Sequence, residues 1–145
     1  MKSFFRAPRA VDIVLVLAIV VDVSLVALTV LKPDWWFAEL HGVGAADAAG
    51  PFAYGLLFRA SAHWAAFAAF QITALSLWRS HLVWLPIVAG LRFSDVFTDW
   101  TYLVAAPPTG GPDATIGLML PAFMNWGMAL FLLWHWRLHA PDGST

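Results

Sequence analysis

Arg92, Asp95, Asp99 and Tyr102 recur at i, i+3, i+7 and i+10 of an otherwise apolar stretch, so they share one face of any helix formed there. A guanidinium, two carboxylates and a phenol on one stripe can hold a polar ligand, relay a proton or act as acid and base. Their setting narrows the choice. Residues 82–105 read as a segment that crosses a bilayer, where a charged side chain costs about 2.5–3.5 kcal/mol at the centre. Such a charge persists only when turned inward onto a partner or a wet cavity. Asp22, Arg59, His63 and Asn125 form a second set, distributed over the other apolar runs.

The elements that must position these groups follow from composition. Of 145 residues, 61% are hydrophobic and 12% charged, against about 25% charged in soluble domains. Apolar runs at 10–31, 53–78, 82–105 and 114–137 each reach the roughly 20 residues needed to span a hydrocarbon core. The expected fold is an all-α integral membrane protein: a single membrane domain, 1–145, forming an antiparallel bundle of four transmembrane helices with a short external interfacial helix. The Asp34 to Gly42 segment supplies that helix, its Trp35-Trp36 pair lying in the interface.

Lys2, Arg6, Arg9, Arg79 and Arg137 fall at one set of span ends and Lys32 at the other. The positive-inside rule then makes both termini cytoplasmic, in a bacterial inner membrane, with residues 32–52 and the 107–112 loop outside. The first run exceeds a signal-peptide core in length and carries Asp22, so it reads as a retained span. Gly44 to Gly50 reads as a mobile loop over the outer mouth. Most of the nine tryptophans fit interfacial anchoring, with Trp64 and Trp126 deeper. Ala62, Ala66, Ala69, Thr73 and Ser76 form a small-residue stripe suited to close helix packing. Pro121 should kink the fourth span beside Asn125, and His135 and His139 read as interfacial.

At 1.5 Å of rise per residue, Asp22, His63, Asp95 and Asn125 all lie about 14–16 Å from the external ends of their helices, Arg59 and Asp99 about 9 Å, and Arg92 about 20 Å. This coincidence predicts an inward cluster with Arg59 opposite Asp99, Arg92 beside Asp95 and Asp22 nearest His63. Two arginines then face three aspartates, and the surplus charge is removed by protonating His63 or Asp22. Because histidine changes charge near neutrality, one proton in this set is negotiable.

A metal held by Asp22, His63, Asp95 and Asn125 is disfavoured, with one deep histidine and no Glu-x-x-His pair. No cofactor is called for, and the absence of cysteine excludes thiolate chemistry and Cys-ligated centres. The net charge of −1 and scattered basic residues give no nucleic-acid footprint. No catalytic motif stands in the chain. The expected function is a buried site that binds or translocates a small molecule or proton, partnered by the bilayer and a lipophilic molecule. The alternatives are a structural or accessory subunit, whether in a homo-oligomer or a membrane complex, and a membrane enzyme acting on a lipophilic substrate with Asp95 or Asp22 as acid/base and His63 as its partner.

Overall fold

The computed structural model describes residues 8–40, 50–105 and 112–140. Among the described residues all regular structure is helical and no strand occurs. Four long helices, α1 (Pro8–Leu31), α3 (Pro51–Leu77), α4 (Trp84–Ala105) and α5 (Pro112–His139), carry the fold. Between α1 and α3 the chain forms a short α2 (Pro33–Trp35) that runs into a π-helical turn, Trp36–Leu40. The expected short helix is thus present in its first part, while Gly42, the Gly44 to Ala49 stretch, the 107–111 loop, and Lys2 and Arg6 lie outside the described residues.

Local chemistry sets the boundaries. Pro33 and Pro51 occupy the first turns of α2 and α3, where a fixed φ suits the helix and the missing N–H costs nothing. At the other end of α3, Ser80 and His81 both donate backbone N–H bonds to the Leu77 carbonyl, and Trp84 donates to His81. The chain reverses within those few residues and enters α4. Pro121 lies inside α5 without ending it.

Packing divides the bundle into two intimate pairs, α1 along α3 and α4 along α5. Although joined by the tight reversal, α3 and α4 touch over only a small part of their lengths. The buried stripes have the three-and-four spacing of coiled-coil seams: Val11, Leu15, Ala18 and Asp22 on α1, and Leu85, Val88, Ala89, Arg92 and Val96 on α4. Near the α3–α4 reversal these stripes hold apolar residues, and Leu15, Leu85, Val88 and Leu132 form a dry core with Trp78. Toward the opposite, cap end they become polar. Asp12 joins α1 to the reversal, accepting a bond from Trp78 Nε1 at 3.0 Å and pairing with Arg79.

Among the described residues, one helix, α1, is long and apolar enough by itself to cross a membrane. Polar residues interrupt the others, His63 and Gln71 in α3 and Arg92, Asp95 and Asp99 in α4.

The packing makes a direct prediction for α5. Leu132 is fully buried whereas Leu130 is 48% exposed. Leu132→Ala should lower unfolding stability in detergent by about 2–5 kcal/mol, and Leu130→Ala should leave it within about 0.5 kcal/mol. Equal losses in denaturant titrations would show that α5 is rotated from this arrangement.

Candidate functional site between the helix pairs

The buried stripe of α1 carries Asp22 to the middle of the bundle, where its side chain has no exposed surface. Arg92, on the stripe of α4, meets it with both terminal nitrogens, Nη1 to Oδ1 at 3.0 Å and Nη2 to Oδ2 at 2.5 Å. Arg92 is also fully buried. Two parallel charge-assisted bonds in a dry setting make this the strongest polar contact that joins the two helix pairs. The remaining helices complete it. From α3, Gln71 Nε2 donates to Asp22 Oδ2 at 2.8 Å, and the Phe67 ring lies 5.6 Å from the guanidinium carbon. From α5, Asn125 Oδ1 accepts from Arg92 Nη1 at 3.1 Å. Asp95, one turn along α4, stands 3.4 Å from Nη1.

Above this belt, toward the cap end, a cavity of about 390 Å³ opens between the pairs. Arg92, Asp95, Asp99 and Asn125 line its polar side. Its apolar walls come from α1, α3 and α5, including Leu25, Leu57, Met124 and Met128. Trp35, at the end of α2, and Trp36, at the start of the π-helical turn, close it, joined by Trp64 and Tyr102. That closing segment is tied down: Trp36 packs on Trp64 with ring centroids 5.5 Å apart, Phe37 packs edge-on to Tyr54 at 5.3 Å, and the Tyr54 hydroxyl donates to Asp34. The volume falls in the range of small-molecule pockets, about 300–1,000 Å³.

The structure therefore brings together Asp22, Arg92, Asp95, Asp99, Tyr102 and Asn125, and leaves Arg59 and His63 elsewhere. Both sit on the exposed side of α3, where His63 Nδ1 lies 2.8 Å from the Arg59 carbonyl oxygen. The physical reason is helical phase. The face of α3 that meets α1 is Leu57, Ser61, Ala68, Gln71 and Ala74, and a residue two positions from Leu57 or Ser61 is turned about 200° away. The expected pairs are corrected accordingly: Asp22 takes Arg92 and Gln71 in place of His63, and among the described residues Arg59 forms no ion pair with Asp99. The set Asp22, His63, Asp95 and Asn125 is likewise not assembled. Ala62, Ala66, Ala69 and Ser76 also face outward, so close packing against α1 uses Ser61, Ala68 and Ala74 instead.

Gln71 and Phe67 were not legible as partners. The signal for Gln71 was a lone amide ten residues beyond Ser61 on the same stripe. His135 differs from expectation too: it is buried against Trp78, at 5.8 Å, and stacks on His139 at 4.2 Å. Among the described residues no group of three or more histidine, aspartate or glutamate side chains is placed to hold a metal ion. Neither a family model, nor a curated protein, nor a solved structure matches the chain.

The clamp predicts a sharp contrast between two arginines. Arg92→Ala strands Asp22 and should cost about 3–5 kcal/mol, whereas Arg59→Ala should change stability by less than about 0.5 kcal/mol. Chemical denaturation of both variants in detergent checks this, and comparable losses would remove Arg92 from the centre of the bundle.

Proposed function

We propose that the four long helices each cross a lipid bilayer and that the cavity between them binds or translocates a small amphiphilic molecule. The observation that carries this reading is the cavity itself, apolar on most of its walls and polar on one side, where Asp95, Asp99 and Asn125 surround a buried arginine. An amphiphile entering from lipid finds both halves of its chemistry there.

The transmembrane arrangement is supported by length and surface. Helices of 24, 27, 22 and 28 residues extend about 36, 40, 33 and 42 Å at 1.5 Å per residue, enough for a hydrocarbon core of about 30 Å. Leu17, Ile72, Phe97 and Leu130 are all large, apolar and exposed. A water-soluble bundle does not leave apolar side chains around its whole circumference. Arg59, near the cap end of α3, can lay its stem along the helix and lift its charge to the interface. Arg9, Arg79 and Arg137 gather at the reversal end, and Lys32 sits at the cap end, which makes the reversal end and both termini cytoplasmic by the positive-inside rule.

One observation favours a second reading. Asp22 and Arg92 have no exposed surface and bond groups from every long helix, as a purely structural clamp in an accessory subunit would. Ligand-dependent stability separates the two.

In neutral detergent, an amphiphile at a hundredfold excess over its Kd should raise stability by about 2.7 kcal/mol. Ala60→Trp, which fills the cavity from α3, should fold normally and lose that response. If amphiphiles of every charge type leave the melting curve unmoved, the accessory-subunit reading takes its place. For topology, Lys32→Cys should react with an impermeant thiol reagent from outside intact cells, and Ser80→Cys only after permeabilisation. Reversed labelling would invert the orientation.

A further inference from the structure

We infer that the cavity selects a cationic amphiphile, an ammonium group on an apolar body, an assignment that rests on the amphiphile-binding reading above. The first ground is charge. Asp22, Asp95 and Asp99 gather around Arg92 alone, because Arg59 lies on the far side of α3. Counted as formal charges, three carboxylates against one guanidinium leave two negative charges in excess. Arg92 spends both terminal nitrogens on Asp22, at 3.0 and 2.5 Å, and one of them also on Asn125. Asp95 receives only the longer 3.4 Å contact. The two aspartates that line the cavity are thus the ones left short of countercharge.

Hydrogen-bonding capacity gives the second ground. Asp99 Oδ2 is buried and has no hydrogen-bond partner among the described residues. A buried carboxylate oxygen of this kind calls for a donor, and an ammonium group supplies donor and charge together. An anionic headgroup finds the opposite conditions. Arg92, the cation that lines the cavity, already gives both terminal nitrogens to Asp22 and has no exposed surface.

The third ground is the aromatic lining. Trp35, Trp36, Trp64 and Tyr102 border the same cavity, and Trp36 packs on Trp64 with ring centroids 5.5 Å apart. Aromatic faces attract a cation through their quadrupole and accept the apolar body of the same molecule. Carboxylates and aromatic rings lining one cavity are what an amphiphilic ammonium compound requires, and they repel or fail to reward a carboxylate.

Three molecules with one body and different heads test the assignment: 4-phenylbutylammonium, 4-phenylbutanol and 4-phenylbutanoate. Binding is measured by equilibrium dialysis of the intact chain in maltoside micelles, at about pH 7, where an alkyl amine is charged. The ammonium compound should bind about tenfold more tightly than the alcohol, with no saturable binding of the carboxylate. Asp99→Asn and Asp95→Asn should each weaken the ammonium compound by about tenfold and leave the alcohol unchanged. Should either variant fail to fold, Trp64→Leu offers the same test from the aromatic side, weakening the ammonium compound more than the alcohol.

Phosphatidylethanolamine, added as a competitor, distinguishes a lipid headgroup from a free amine as the source of the ammonium group. Displacement assigns it to lipid, and no displacement to a soluble amine. Equal binding of ammonium compound and alcohol, both lost in Ala60→Trp, would overturn the cationic assignment and keep the cavity reading. Preference for the carboxylate would overturn the assignment as well. Saturable binding of none of the three would bring down both.

Discussion

A carboxylate and a guanidinium with no access to solvent, Asp22 and Arg92, govern how every long helix is turned about its own axis. Separating them would strand two buried charges, each carrying a desolvation penalty of several kcal/mol. The arrangement that avoids this also adds bonds to Gln71 and Asn125 and lays Phe67 beside the guanidinium. One contact therefore recruits α1, α3, α4 and α5 together. It leaves no rotational freedom for a helix whose surface is apolar on all sides.

That fixed phase explains why the two ends of the bundle differ. The same seam positions that hold Leu15, Leu85 and Leu132 near the α3–α4 reversal hold Asp22, Arg92 and Asn125 farther along. Apolar side chains can fill the seam to crystal-like density. A layer of charged and amide groups cannot be packed in that way, because its spacing is set by hydrogen-bond geometry. Beyond the layer the pairs stand apart, and the space between them is closed by Trp35 of α2 and Trp36 of the π-helical turn. The cavity is thus a consequence of where the polar layer stops the close packing.

Depth was legible in the sequence and azimuth was not. Counting residues placed Asp22, Asp95 and Asn125 at one level, and they do belong to one cluster. Arg92 came out about a turn deeper by the same count, a gap that its long side chain crosses. Arg59 and His63 had suitable depth but the wrong phase, since α3 is apolar or small on every side and its periodicity does not say which face α1 will cover. The face is chosen by Gln71, which must reach Asp22. Helical class and helix boundaries were readable for a simpler reason: long apolar runs end at prolines and at the Arg79-Ser80-His81 reversal. The burial of His135 is not legible in its own helix, because its partner, Trp78, lies on another.

The clamp also has a history within each molecule's synthesis. Asp22 precedes Gln71 by 49 residues and Arg92 by 70. At a ribosomal rate of about 5–20 residues per second, roughly 4–14 s pass between the appearance of the carboxylate and that of its cation. During that interval α1 exists with a polar group that its own chain has not yet equipped. The buried carboxylate of α1 is therefore balanced only once Arg92, 70 residues further along, has been made.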